Sequence, residues 1–265
     1  SIEGDIFFNH LNRVGYCCML TPSGGQPVLY QNYKGELIDW DDFFKKREEH
    51  IEIMKNGGTL PECKGCFWIR EQEWDERKKS LKYILLNVWT KCNLYCMYCS
   101  THSNVELLRK TLPDELIPVL NTVEYDLCPV INDMIEKKII TPDTKIDIAG
   151  GESTLDKNFN SLLFMFINAG IKNININTNA TILSQAIEEG IKKGVVSTIT
   201  SVDSGSPAVF EFIKKKSLYN IVWKNIDKYV KCINPSNNNT VKSKYIIIPS
   251  VNDNKDEILN FIKMS

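Results

Sequence analysis

An alternation of strand-like and helix-like segments, which begins near residue 83, restricts the fold of this chain more than any other feature of its sequence. Five short runs, most of them rich in β-branched or aromatic residues, have strand character: 83–89, 145–149, 173–177, 195–202 and 243–248. Helical patterns follow at 114–139 (interrupted near Pro118 and Pro129), 159–169, 184–193, 208–216, 220–232 and 256–264. Strands and helices that alternate at these spacings predict an α/β fold with a parallel sheet and right-handed crossovers.

The first 79 residues have a different pattern. Residues 16–20 and 28–30 flank a turn at 22–25, as in a β-hairpin. A charged amphipathic segment over 39–55 is expected to be helical and to end at Gly57 and Gly58. We therefore expect two domains: a small N-terminal hairpin–helix module over 1–79, and an incomplete parallel (β/α) TIM-like barrel over 80–265.

The composition is that of an ordinary soluble globular protein, with 43% hydrophobic and 25% charged residues. The net charge of −1 provides no overall attraction to nucleic acid or to an anionic membrane, so neither partner is expected. The short run of lysines at 214–216 is expected to be a solvated helix end. No apolar run approaches the ~20 residues that cross a bilayer, and no signal peptide is visible.

Five of the nine cysteines fall in two tight local groups. One group is Cys63-x-x-Cys66 and the other is Cys92-x-x-x-Cys96-x-x-Cys99. Secreted disulfide frameworks spread their cysteines along the chain, whereas intracellular groups of this kind usually bind metal. The expected location is therefore a reducing, cytoplasmic one.

The second group directly follows the first predicted barrel strand. Parallel α/β folds place their chemistry at the carboxyl ends of the strands, where three thiolates in one loop can converge on an inorganic centre. Thiolates bind iron–sulfur clusters and also zinc. Three ligands would leave one iron of a four-iron cube open to another molecule. The alternative is a closed zinc site that His102 completes.

The motif Cys92-x-x-x-Cys96-x-Tyr98-Cys99 resembles the signature of the radical S-adenosylmethionine superfamily, in which an aromatic residue commonly precedes the third cysteine. Gly150-Gly151-Glu152, at the end of the second strand, resembles the glycine-glycine-glutamate motif of that superfamily. The resemblance covers residues 80–265 and continues at the later strand ends with Thr178, Asn179, Ser201, Val202, Asp203 and the segment 248–253.

This resemblance implies a 4Fe–4S cluster on the three thiolates, with S-adenosylmethionine chelating the fourth iron. Glycines let backbone approach a cofactor closely, and a glutamate accepts hydrogen bonds from the methionyl ammonium. One-electron reduction would then cleave the sulfonium and release a 5′-deoxyadenosyl radical that abstracts hydrogen from a substrate. The residues that the resemblance assigns to S-adenosylmethionine are Tyr98, Gly150, Gly151, Glu152, Asn179, Ser201, Asp203 and Val251. No catalytic residue is assigned.

Several of these residues also have an ordinary structural interpretation. A Gly-Gly pair is common at a strand-to-helix turn, and residues such as Asn179 and Asp203 are common helix caps. Only their position at successive strand ends, with the cysteines at the first, favours a binding role.

The N-terminal module resembles the twitch fold, the halved form of the SPASM auxiliary-cluster domain, in the branch of the superfamily that carries it before the barrel. This resemblance implies a second iron–sulfur cluster on Cys63, Cys66 and one or both of Cys17 and Cys18. Structural zinc, and reduced or disulfide-paired cysteines, are the alternatives. Cys128 and Cys232 lie in helical patterns and are expected to be buried apolar residues.

These observations together predict a radical S-adenosylmethionine enzyme that receives electrons from an external donor of the flavodoxin or ferredoxin type. Family analogy favours a peptide or protein substrate, with a sugar or small metabolite as the alternative. Two other classes remain open: an activase or electron-transfer partner of another enzyme, and a non-catalytic module that binds zinc or an iron–sulfur cluster.

Overall fold

Eight strands and seven helices make up the regular structure of the computed structural model, which describes residues 4–9, 12–16, 28–66, 79–99 and 125–265. The strands are β1 (Asp5–Asn9), β2 (Arg13–Gly15), β3 (Val28–Tyr30), β4 (Tyr83–Trp89), β5 (Lys145–Gly150), β6 (Asn173–Asn177), β7 (Val196–Ser201) and β8 (Val241–Lys244). The helices are α1 (Trp40–Lys55), α2 (Cys128–Glu136), α3 (Phe159–Asn168), α4 (Gln185–Lys192), α5 (Pro207–Lys214), α6 (Tyr219–Lys231) and α7 (Lys255–Met264).

The described strands form one sheet in the order β3-β2-β1-β4-β5-β6-β7-β8. Neighbours from β4 to β8 are parallel, and at least one described helix lies in each connection. Within the described part of the chain, β3 and β8 are not paired with each other, so the sheet is not closed. This topology confirms the predicted incomplete parallel (β/α) barrel.

The apolar alternation of the strands places isoleucines on the side that the helices cover. Ile84, Ile146, Ile148, Ile174 and Ile176 are fully buried in one core. The helices contribute residues such as Leu163, Phe166, Ile187 and Ile191 to the same core. A smaller core lies where α5, α6 and α7 meet. Because the helix-facing side is apolar, the polar residues of the strands lie on the opposite, inner face.

Among the five predicted barrel strands, positions agree with the sequence pattern except at β8. The predicted bounds of β4 and β6 are confirmed, those of β5 differ by one residue at one end, and those of β7 differ by one residue at each end. The last strand was predicted at 243–248 but lies at Val241–Lys244, so that prediction is wrong. The side chain of Asn252 pairs with the backbone of Ile246 and Ile248, and Asp203 accepts the N–H of Ile246. Side chains therefore take the backbone groups that a longer strand would have used.

The predicted interruption near Pro129 coincides with the start of a helix. Pro129 lies in the first turn of α2, where a missing backbone N–H costs nothing, so it begins a helix. The remainder of the predicted segment, from 114 to 124, lies outside the described residues.

The N-terminal residues contribute to the same sheet as the barrel. β1, which the sequence pattern did not identify, is parallel to β4, with Phe8 opposite Leu86. β2 and β3 form an antiparallel pair beyond it, while the segment 17–27 of the predicted hairpin lies outside the described residues. Trp40 in α1 donates its indole N–H to Asp133 in α2 at 2.7 Å. The division at residues 79/80 stays a prediction.

Asp39 caps α1, where it accepts hydrogen bonds from two backbone N–H groups of the first turn, and Ser184, Ser206 and Asn254 cap α4, α5 and α7. None of the helices within the described residues combines the length and apolar character needed to cross a membrane.

Candidate active site

The predicted site residues of the barrel lie at the carboxyl ends of β4 to β7. Since these strands are parallel, their ends meet at one edge of the sheet, and the loops that follow them lie side by side. The first of these loops carries the three cysteines.

Cys92, Cys96 and Cys99 are half-buried thiols. Burial raises the pKa of the Cys92 and Cys96 thiols. Two donors point at the sulfur of Cys92, the backbone N–H of Leu94 and the side-chain amide of Asn179, each at 3.5 Å, and both lower the pKa of this thiol. Donors of this kind suit a sulfur that carries negative charge, as a metal-bound thiolate does.

The cysteine loop is held against the end of α5 through its backbone. Tyr95 and Met97 donate their N–H groups to the carbonyls of Lys214 and Ile213, each at 3.0 Å. These carbonyls belong to the last turn of a helix and have no acceptor role within it. The turn within the loop is closed by a bond from the N–H of Cys99 to the carbonyl of Cys96.

The chemistry of the donor set fits an iron–sulfur cluster. Three thiols lie in one short loop, and Cys99 is close enough to Cys92 and Cys96 to raise the pKa of both. No three His, Cys, Asp or Glu side chains within the described ranges converge as the ligands of a single metal ion would. Ligands of a four-iron cube bind different irons and do not need to converge on one point. His102, on which the alternative zinc site depends, lies outside the described residues.

Gly150 and Gly151 contact the backbone of the cysteine loop. A Cβ on Gly151 would lie 2.2 Å from the carbonyl oxygen of Lys91, and one on Gly150 would lie 2.7 Å from that of Trp89. Gly150 also has a φ of +113°. Hydrogen bonds from the N–H groups of Gly151 and Glu152 to Trp89 and Lys91, each 2.7 Å long, join the two segments. The glycines are thus required because other protein backbone approaches them closely. The sequence interpretation had explained them by a close approach of the cofactor.

Glu152 is almost completely buried, with 1% exposure, and its carboxylate accepts hydrogen bonds from the protein on both oxygens. Oε1 accepts from the hydroxyls of Thr154 (2.6 Å) and Thr178 (2.8 Å) and from the N–H of Thr154, while Oε2 accepts from the N–H of Asn179 (2.5 Å). Burial raises the pKa of Glu152, and these donors oppose that effect. Oε2, with one donor, has more remaining acceptor capacity than Oε1.

Asn179 belongs to an amide network beside Cys92. Its side chain donates to Asn93 at 2.8 Å and accepts from the N–H and hydroxyl of Thr181. Asn93 also donates to Thr181 at 2.8 Å. Sequence reasoning missed Asn93 and Thr181, although both lie next to residues that it had identified.

Tyr98, Asp203 and Lys214, named here the Lys214 triad, connect three segments of the chain. Asp203 and Lys214 are buried, whereas Tyr98 is 38% exposed. Lys214 and Asp203 form a salt bridge with side-chain exposures of 1% and 0%. The hydroxyl of Tyr98 donates to the same carboxylate and accepts from Lys214 at 2.6 Å. The prediction of a solvated helix end is therefore wrong for Lys214, although Lys215 and Lys216 are exposed.

Two other predicted residues lie at this edge of the sheet. Ser201 is the last residue of β7 and is paired with Lys244. Val251 is half-buried in the turn after β8, and its N–H donates to the carbonyl of Ile248. The neighbouring Asn252, which sequence reasoning missed, is fully buried and organises this turn through its side chain.

The predicted auxiliary site is described only in part. Cys63 ends a short 3-10 turn (Pro61–Cys63), and Cys66 follows with its N–H bonded to the carbonyl of Cys63 at 3.0 Å. Both are half-buried thiols. Cys17 and Cys18 lie outside the described residues. Cys128, at the first residue of α2, and Cys232, just after α6, pack against the main core but are half-buried, so their expected burial is partial.

Comparisons with known proteins agree with this arrangement. The family model of the Radical SAM superfamily matches residues 86–262, which is more than half of the chain. The chain is 27% identical over 184 residues to the mitochondrial GTP 3′,8-cyclase of Arabidopsis thaliana, covering 69% of this chain and 43% of that protein. It is 28% identical over 194 residues to a GTP 3′,8-cyclase of Clostridium botulinum, covering 72% and 54%. The chain thus spans about half the length of the curated relatives it matches.

Among solved structures, Streptococcus suis SuiB bound to S-adenosylmethionine aligns with a TM-score of 0.51 at 13% identity, over 84% of this chain and 43% of that one. This likeness concerns the fold alone. The family match and the cysteine, glycine and glutamate motifs at successive strand ends lead to one conclusion: this chain belongs to the Radical SAM superfamily of enzymes.

Proposed function

We propose that the chain is the catalytic core of an enzyme that cleaves S-adenosylmethionine reductively and uses the resulting 5′-deoxyadenosyl radical to abstract hydrogen from a substrate. The observation that carries this proposal is the position of three half-buried thiols beside a buried carboxylate, within a chain whose family is established. When bound, the cluster and S-adenosylmethionine supply the one-electron cleavage.

Residues of this chain have definite tasks in the proposal. The sulfurs of Cys92, Cys96 and Cys99 would each hold an iron. Glu152, fixed by Thr154, Thr178 and the backbone of Asn179, would present Oε2 to the methionyl ammonium. Since burial excludes water from this carboxylate, a hydrogen bond to it is stronger than one at the surface.

The substrate is proposed to be a small, polar molecule. The prediction of a peptide or protein substrate has no support among the relatives, since those compared here are named GTP 3′,8-cyclases. The alternative prediction, a sugar or small metabolite, is closer to these names. Auxiliary iron–sulfur binding at Cys63 and Cys66, the twitch-like branch and an external electron donor remain parts of the proposal.

The inner face of the sheet supports a polar substrate. Leu85, Asp147, Asn175 and Ser197 are direct neighbours across β4 to β7, so their side chains share one face. On that face Asp147 accepts hydrogen bonds from the hydroxyl of Tyr83 (2.7 Å) and the amide of Asn175 (2.9 Å). Half-buried amides and a carboxylate suit a ligand with many hydrogen-bonding groups.

The first experiment measures iron and sulfide after anaerobic reconstitution, together with formation of 5′-deoxyadenosine under dithionite. About eight irons per chain with 5′-deoxyadenosine support two clusters, and about four support the barrel cluster alone. Cys96→Ala is expected to abolish cleavage, whereas Cys232→Ala, a half-buried thiol outside the loop, is the matched control. Zinc without iron and without cleavage would contradict the proposal and favour a non-catalytic module.

A second experiment tests the polar face. Asp147→Asn removes the negative charge and replaces one of the two oxygens that accept from Tyr83 and Asn175 with an NH₂ donor. Substrate turnover is therefore expected to fall by about tenfold or more, while 5′-deoxyadenosine still forms without substrate. Asp143→Asn changes an exposed carboxylate that lies just before β5 and is the control. Equal turnover in both variants would argue against substrate binding on this face.

A further inference from the structure

The Lys214 triad includes one residue of the cysteine loop, and Lys214 itself has no role in the proposed function. Tyr98 belongs to that loop, Asp203 follows β7, and Lys214 ends α5. Besides its bonds to Tyr98 and Asp203, the ammonium of Lys214 lies 5.0 Å from the centre of the Tyr98 ring. A single lysine therefore joins the loop to two elements of the barrel.

The side chain of Asp203 is fully engaged by the protein. Oδ2 accepts from both Tyr98 and Lys214, and Oδ1 accepts from the N–H of Ile246 at 2.7 Å. The carbonyl of Asp203 accepts from Asn252 at 2.7 Å, and its φ of +62° is a left-handed conformation that costs a non-glycine residue energy. This geometry differs from the sequence expectation that Asp203 contacts S-adenosylmethionine, because a fully buried carboxylate with both oxygens occupied faces protein rather than ligand.

The energetics of burial make Lys214 the central member. An ammonium without water needs charged or polar partners, and Lys214 has two side-chain partners, one of which carries the neutralising charge. The hydroxyl of Tyr98 donates to Asp203 and accepts from Lys214. Tyr98 is thus fixed by both partners, and the residue that follows it is Cys99.

We infer that Lys214 is a positioning residue for the cluster-binding loop: through Tyr98 it fixes where the sulfurs of Cys96 and Cys99 stand. The backbone bonds from Tyr95 and Met97 to the end of α5 place the rest of the loop on the same support. The inference rests on the proposed function, since it assumes that these sulfurs hold iron. It also reassigns Asp203 from a ligand contact to a partner of Lys214.

The test compares Lys214→Met, Lys214→Arg and Tyr98→Phe with wild type and with Lys224→Met, an exposed lysine of α6 that serves as control. Each chain is reconstituted with iron and sulfide, and iron release to a chelator is timed. Electron paramagnetic resonance of the reduced cluster is recorded with and without S-adenosylmethionine, and circular dichroism of each chain reports folding. Tyr98→Phe removes one hydroxyl and keeps the ring, so it tests the inference even where Lys214→Met unfolds the chain.

We expect iron release to be about tenfold faster or more in Lys214→Met and Tyr98→Phe, as for other residues that orient metal ligands, with altered resonance spectra. Lys214→Arg keeps the charge, so its rate of iron release is expected to be closer to that of wild type. Lys224→Met is expected to release iron at the wild-type rate. If wild type binds iron but both Lys214→Met and Tyr98→Phe release iron at the wild-type rate with unchanged spectra, the inference is overturned and the proposed function is not. Absence of iron from wild type would overturn the proposed function and the inference with it.

Discussion

At the scale of single residues, Glu152 shows how a binding group is prepared by its surroundings. Its carboxylate is held in place by hydroxyls and backbone N–H groups of the protein itself.

Glu152→Gln would place an amide NH₂ where a carboxylate oxygen now accepts a hydrogen bond. We expect the variant to lose S-adenosylmethionine affinity by about tenfold or more, since a charge-assisted bond is worth roughly 1.5–3 kcal/mol. Calorimetric titration of the reconstituted protein measures this, with Glu189→Gln, a half-buried residue of α4 that pairs with Lys192, as the control. Equal affinity of both variants would contradict the assigned role.

Gly151 leads to a prediction about stability. A Cβ there would meet the carbonyl of Lys91, a backbone group that cannot rotate away. Gly151→Ala is therefore expected to lower the free energy of unfolding by about 2–3 kcal/mol, as overpacking does. Gly57→Ala is the comparison, because its φ of +77° is strained for alanine but no atom lies within 4 Å of the added Cβ. Urea denaturation measures both, and a cost for Gly151→Ala no larger than that for Gly57→Ala would refute the steric argument.

Some site residues could be predicted from the sequence and others could not. Cys92, Cys96 and Cys99 were identifiable because their spacing alone restricts the chemistry. Lys214 was not, because a run of three lysines has the same composition whether or not its first member is buried. Its burial depends on Asp203 and Tyr98, which are 11 and 116 residues away along the chain. Local patterns carry no information on such pairs.

At the scale of secondary-structure elements, the start of α4 connects three helices. Ser184 caps α4 through a bond to the N–H of Ile187, donates its hydroxyl to Asn160 of α3 at 2.6 Å, and donates its N–H to Tyr229 of α6. Ser184→Ala is expected to lower the free energy of unfolding by about 1–2 kcal/mol. Ser236→Ala, exposed in a loop, is expected to change it by less than about 0.5 kcal/mol. Thermal unfolding measures the stability of both variants. An equal loss of stability in Ser184→Ala and Ser236→Ala would show that the cap contributes little.

The elements themselves were predictable to different degrees. β4 and β6 could be located because their runs are flanked by clear breaks. β8 was misplaced because the apolar run 245–248 has strand character, yet Asn252 and Asp203 take its backbone groups. β1 was missed because it pairs with β4, which is 78 residues further along. The parallel fold itself was predictable, because it depends on repeated alternation rather than on any one boundary.

At the scale of the whole molecule, the N-terminal strands cover one edge of the barrel sheet. β1 pairs with β4, and Ile6 and Phe8 belong to the same core as Ile84 and Leu86. A fragment of residues 80–265 would expose that edge and the apolar side chains beside it. We expect the fragment to aggregate or to unfold at much lower urea than the full chain, as gel filtration and denaturation would show. A monomeric fragment of equal stability would instead support an independent domain from residue 80.

The contact between Gly150, Gly151 and the backbone at residues 89–91 has a consequence for anyone who wishes to engineer this protein. The separation between the iron-binding loop and the end of β5 is determined there by main chain on both sides. No side chain stands between them, so no point substitution can shorten or lengthen the gap in small steps. Redox tuning and altered cofactor geometry must be sought from the other side of the loop, where Tyr98 and Lys214 offer replaceable atoms.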